Sequence, residues 1–141
     1  MIGISFIAHC TTTKLLETAL KVGILKNSNW IVDLYISARD DEGIQEGLYT
    51  SFEIAHQIDR LSENETAEFF CMFGFSQDNM VPTVSPATIA EYMSSKFHST
   101  LLCTDICEFD FYCKDQKTLL DLCEMLDKND ICCKDNIRFF T

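Results

Sequence analysis

Apolar and polar positions alternate most regularly in DICEFDFYCK, residues 105–114. Cys107, Phe109, Phe111 and Cys113 fall on one side of an extended chain, and Glu108, Asp110, Tyr112 and Lys114 on the other. That period predicts a strand with one face in a core and the other in water or against a partner. Directly after it, Asp115 is placed to cap a helix whose Leu119, Leu122, Cys123 and Leu126 recur at i, i+3, i+4 and i+7. Strand and helix each offer one apolar face to the other, which is the pattern of a sheet covered by helices.

The rest of the chain repeats this theme. Ile2, Ile4, Phe6 and Ala8 predict a first strand, and Thr12 or Thr13 then caps a helix carrying Leu15, Leu16, Ala19 and Leu20. Gly23 suits the left-handed residue that ends this helix, with Ile24 folding back on its last turn. After a polar turn at 26–29, Trp30, Val32, Leu34 and Ile36 predict a second strand with one wet face. The segment 44–62 is ambiguous between strand and helix, but Thr50 with Glu53 makes a capping box, which favours a helix over 51–62. Residues 67–75 are apolar on both sides and predict a central strand. Ser85 and Pro86 then open a helix with Ile89, Met93 and Phe97 along one stripe, and a last strand falls at 137–140. The loop 76–84 carries Met80, Val81 and Val84, which suggests a contact loop.

This order of alternating strands and helices suits a doubly wound α/β sheet, but the strands argue against it. Parallel strands covered on both faces read as continuous apolar runs, whereas most of these keep a polar face, and HisCysThrThrThr stands where a glycine-rich turn would follow the first strand. The expected fold is a single α+β domain spanning 1–141, with a mixed or antiparallel sheet of about five strands and helices mainly on one face. A three-layer α/β arrangement is the alternative.

At 141 residues the chain is long enough to bury a core without disulfides or metal. No apolar run approaches the roughly 18 to 20 residues that span a bilayer, and the N-terminus lacks the features of a signal peptide, so a cytoplasmic location is expected. In that setting the eight cysteines read as reduced, small apolar residues, most of them at core positions. The net charge of -11 is concentrated: residues 40–68 hold nine acids against Arg60, whereas residues 1–38 hold two acids against three lysines. Such a surface repels nucleic acid and anionic membrane and draws basic partners.

Candidate chemistry is sparse. His9 and Cys10 stand where the first strand meets the first helix, a place that can activate a thiol, yet no arginine follows before Arg39, and His56 or His98 would have to be brought near by folding. Cys103 and Cys107 on one extended segment would be about 13 Å apart, too far for shared zinc coordination, and the vicinal Cys132 and Cys133 would point opposite ways, so no metal and no cofactor is expected. Glu108 and Asp110, about 7 Å apart on one strand face, are close enough for a carboxylate pair, but they read better as partner contacts beside Tyr112.

Acidic charge with no catalytic motif, in a chain of this size, is the profile of the immunity proteins with which bacteria neutralise toxic nucleases. The expected function is therefore non-catalytic: occlusion of a basic toxin. The contact surface would comprise Asp40, Asp41, Glu42, Glu46, Glu53 and Asp59 with Glu108, Asp110 and Tyr112. The alternatives are a regulatory domain that binds a small molecule between sheet and helices, or a small enzyme using Cys10.

Overall fold

A computed structural model describes residues 1–38, 43–78, 80–83 and 85–141. The chain is α+β, with β1 (Gly3–Ile7), α1 (Thr12–Ala19), a 3-10 turn at Gly23–Asn27, β2 (Ser28–Ser37), β3 (Gly47–Tyr49), α2 (Ser51–Asp59) and β4 (Ala67–Ser76). There follow α3 (Ile89–Ser94), β5 (Phe97–Asp105), β6 (Glu108–Cys113), α4 (Gln116–Lys128), a 3-10 turn at Lys134–Asn136 and β7 (Arg138–Phe140). The strands form one sheet in the order β3-β2-β4-β5-β6-β1-β7. Every pairing is antiparallel, which removes the α/β alternative.

The sheet has seven strands rather than about five. One of the additional strands, β3, is three residues long, too short for an alternation to register. The other, β5, occupies residues expected to end a helix and begin the 105–114 strand. Ile89, Met93 and Phe97 do not share a helical stripe: α3 stops at Ser94, its cap is Thr88 rather than Ser85, and Phe97 opens β5. The 105–114 strand begins only at Glu108, because Ile106 and Cys107 form the turn of the β5–β6 hairpin, and Cys107 adopts a left-handed φ of 63°. The first helix is capped by Thr11, whose hydroxyl accepts from Lys14 N–H, rather than by Thr12 or Thr13.

Gly23 has the expected left-handed backbone, φ 50°, but it opens the 3-10 turn after α1 instead of closing the helix. A Cβ there would stand 2.2 Å from Thr118 Oγ1 of α4, and that same oxygen accepts from Ile24 N–H at 3.2 Å. The residue that folds inward is accordingly Leu25, fully buried, while Ile24 is exposed. The α2 capping box forms as expected: Thr50 Oγ1 accepts from Glu53 N–H, and Glu53 Oε1 accepts from Thr50 N–H.

Helices α1, α2 and α4 cover one face of the sheet. The centre of this layer is a row of side chains in direct register across five strands, Tyr35, Phe70, Cys103, Phe109 and Phe6. Cys103 is small and completely buried, so the rings of Phe70 and Phe109 meet across it with centroids 5.9 Å apart, while Phe6 stacks on Phe109 at 5.7 Å and Tyr35 on Phe70 at 5.5 Å. A second, smaller cluster of Phe73, Phe75, Tyr92 and Phe97 lies under α3 on the opposite face. Both faces of β4 are therefore apolar, and only part of the second face is covered.

His98 of β5 reaches across β4 to β2, with Nε2 at 2.8 Å from Ser28 Oγ and Nδ1 at 2.7 Å from the adjacent Ser99 Oγ. Burial first, and then the Lys114 ammonium, pull its pKa from 6.5 down to about 4. The unfolded chain thus holds a proton on this ring that the folded chain lacks, so stability falls as pH drops from 6.5 to about 4. Urea unfolding at about pH 7 and about pH 4.5 should show a larger loss for the parent protein than for His98→Gln; equal losses would remove this histidine from the acid response. In the aromatic row, Phe109→Ala should cost about 3–5 kcal/mol, whereas Phe69→Ala on the open face should cost about 1 kcal/mol or less; equal costs would contradict the assignment of faces.

Candidate functional site

The sheet face that α1, α2 and α4 leave uncovered is organised in rows set by strand register. One row runs Leu48, Ile31, Phe73, Thr100, Tyr112, Gly3 and Phe140. The next runs Leu34, Cys71, Leu102, Asp110, Ser5 and Arg138, and Ile36 pairs with Phe69 beyond it. Helix α3 and Tyr92 shelter the end of the face near Phe73, Phe75 and Phe97. At the other end, Leu48, Ile36 and Phe69 are 50%, 45% and 37% exposed, with Leu34, Cys71 and Leu102 half-buried beside them.

Tyr112 sits between the two regimes. It faces Gly3 in register, and its ring stacks on Phe140 of β7 at 5.4 Å and 13°. Two aromatic rings from the strands flanking β1 thus cover the glycine between them. Any Cβ at Gly3 would come within 2.8 Å of the Tyr112 ring and 2.6 Å of the Phe111 carbonyl, so only glycine admits this stack. On its other side Tyr112 meets Tyr92, whose ring carries Lys114 Nζ at 5.0 Å and whose hydroxyl donates to His98 O at 2.7 Å. The ring is held on three sides, which leaves it little entropy to lose on contact with a partner.

Asp110 is half-buried and Glu108 exposed on this same face, so the structure brings together the expected group of Glu108, Asp110 and Tyr112. Glu53 and Asp59 lie elsewhere, on α2 in the helical layer, and Glu53 is engaged in its capping box. Glu46 is exposed just ahead of β3, and Asp40, Asp41 and Glu42 lie outside the described residues. Glu65, from the same acidic stretch, is not on the surface at all: it is fully buried and accepts from Ser37 Oγ at 2.7 Å and Tyr35 Oη at 3.2 Å. The acids of 46–68 therefore do not form one patch.

Among the described residues, ion pairs join Lys117 to Asp121 and Lys134 to Glu124, both involving α4, and none reaches Glu108 or Asp110. The open face consequently combines exposed apolar residues on β3, β2 and β4 with carboxylates on β6 that form no ion pair among the described residues. The exposed apolar residues are the part that sequence reasoning missed. The signal was present in EFFCMFGF, apolar on both sides, but alternation does not say how much of the second side a short helix will cover.

The cysteines offer little to nucleophilic chemistry. All eight are free. Burial, with a small contribution from neighbouring Cys107, outweighs the Lys14 charge and raises the Cys10 thiol from 9.0 to about 11, the opposite direction from an activated nucleophile. Cys71 and Cys103 rise to about 12, chiefly by burial. Among the described residues no three His, Cys, Asp or Glu side chains converge as metal ligands, and no helix is long and apolar enough to cross a membrane. No protein-family model, curated protein or solved structure matches the chain.

With its thiol pushed up, Cys10 holds a smaller thiolate fraction at neutral pH than an ordinary cysteine. Iodoacetamide at about pH 7.5 should label the exposed Cys133 first and Cys10 roughly tenfold or more slowly, read by peptide mass spectrometry. Rapid labelling at Cys10 alone would restore the cysteine-enzyme reading.

Proposed function

We propose that this chain is a non-catalytic binding protein that occludes a basic protein domain, acting in the cytoplasm as a bacterial immunity protein against a basic toxin such as a nuclease. The observation that carries the reading is the open sheet face. Its half on β3, β2, β4 and β5 is apolar, with Ile36, Leu48, Phe69 and Leu102, and Glu108, Asp110 and Tyr112 follow on β6 beside it. Protein interfaces combine these parts: desolvated apolar and aromatic residues hold the complex, and rim charges govern approach and partner choice.

The net charge of -11 adds a long-range field that attracts a cationic surface and opposes phosphate backbones. The raised Cys10 thiol lends no support to the cysteine-enzyme alternative. Glu46 and the segment holding Asp40, Asp41 and Glu42 belong to the same proposal as steering charges, whereas Glu53 and Asp59, on the helical layer, contribute to the overall field rather than to the contact.

The test is capture of partners by the tagged protein from its native host, followed by kinetics with whatever is retained. A single stoichiometric basic protein is expected. Against it, Glu108→Lys with Asp110→Lys should slow association about tenfold and flatten its salt dependence, while Ile36→Ser with Phe69→Ser should chiefly speed dissociation. Failure to retain a partner, or a partner indifferent to both pairs of changes, overturns the proposal.

A further inference from the structure

A groove of about 440 Å³ runs between α1 and α2 on the covered side of the sheet, away from the open face. That volume lies in the range of small-molecule sites. Its floor is made by Leu16, Leu25, Trp30, Ile54 and Ile58, all buried. Charged groups stand only at the mouth, and they are sorted by sign. Thr13, in the first turn of α1, donates to the carbonyl of Ser62, just past α2, so the beginning of α1 meets the end of α2 along the groove. Lys21, just beyond α1, and Lys26, in the 3-10 turn, therefore stand at the end where α2 begins with Ser51, whereas Asp59 stands at the far end with Glu17 between. Among the described residues neither lysine forms an ion pair, in a chain whose acids outnumber its bases two to one.

The floor holds a second, independent feature. Trp30 is fully buried, and its Nε1–H has no hydrogen-bond partner among the described residues. The opposite edge of the indole is packed against β4: a Cβ at Gly74 would lie 3.0 Å from both Cη2 and Cζ3. The Nε1 edge is thereby turned away from Gly74. Folded proteins rarely leave such a donor unmatched, and Trp30 lines the groove, so its indole is the polar group on an otherwise apolar floor with charge at the mouth, the usual composition of a ligand site.

We infer that this groove binds a small amphipathic carboxylate, with its apolar body on the Leu and Ile floor, its head group towards Lys21 and Lys26, and an oxygen available to the Trp30 indole. Because Nε1 is shielded from solvent, contact with it requires a wall side chain to change rotamer. The site is separate from the proposed protein-binding face, and its existence does not depend on that reading.

Trp30 is the only tryptophan in the chain, so one indole N–H resonance and one fluorescence signal report on the floor of the groove. Octanoate, titrated below its micelle concentration, should move both saturably, with octylamine as the opposite-charge control binding at least tenfold more weakly. Lys21→Glu with Lys26→Glu, both exposed positions, should weaken octanoate about tenfold. Ala55→Phe, on the exposed side of α2 where it lines the groove, should abolish binding with the melting temperature unchanged. No saturable response overturns the site. Equal affinity for octylamine, or indifference to the lysine reversals, overturns the carboxylate assignment. Binding that survives Ala55→Phe overturns the location. If Ala55→Phe itself lowers the melting temperature, the indole resonance shift in the parent protein, present or absent, decides the matter.

Discussion

A seven-stranded antiparallel sheet has two broad faces to bury, and this chain supplies enough helix for one of them. Helices α1, α2 and α4 all pack on the side that carries Phe6, Phe70 and Phe109. Among the described residues the second side receives one helix, α3, six residues long, over the aromatic cluster beneath it. The outcome follows from connectivity. Every strand pair is antiparallel, and the β5 to β6 link passes between adjacent strands through a two-residue turn, so helices need not match strands in number or alternate between faces.

That shortage of cover makes the composition of the second face informative. A solvated sheet face is ordinarily polar, yet Ile31, Leu34, Ile36, Phe69 and Leu102 occupy this one. Their exposure is a standing cost in water and a standing gain for anything that covers them. The acids then supply selectivity that apolar area lacks. An uncharged apolar surface discriminates poorly between partners, and Asp110 and Glu108 beside it add negative charge that is unfavourable towards an acidic surface and favourable towards a basic one.

Much of this architecture was legible in the residues, and the failures have identifiable causes. Alternation located β6, the capping box of Thr50 and Glu53 placed α2 in the ambiguous 44–62 segment, whose first part is the strand β3, and Asp115 with the Leu119 to Leu126 pattern placed α4. The hairpin at Ile106 and Cys107 was hidden because turns with a left-handed residue usually announce themselves with glycine or asparagine, and here a cysteine takes that conformation. Ile89, Met93 and Phe97 satisfied a helical spacing by coincidence, with the third residue already in the next strand. Of the candidate site, the Glu108, Asp110 and Tyr112 group was legible because all three are on one strand. The split between Glu53 and Asp59 on one layer and the open face on the other was not, since charge along a chain carries no information about which side of a sheet a helix will cover.

The groove and the open face lie on opposite sides of the same two strands. Trp30 and Ile31 are adjacent in β2, one pointing into each, and Trp30 packs directly on Gly74 of β4, next to Phe73 of the other face. Proximity of this kind does not by itself couple two sites. A ligand on the Trp30 side changes affinity on the Phe73 side only by the difference in its own binding free energy between the free and partner-bound forms of the sheet, and the partner must then change the ligand's affinity by the same factor. Trp30 lies over Gly74, where no side chain can yield, so a displacement of the ring towards β4 would press on backbone, and the pairing of β2 with β4 is the element through which the two sides are physically joined.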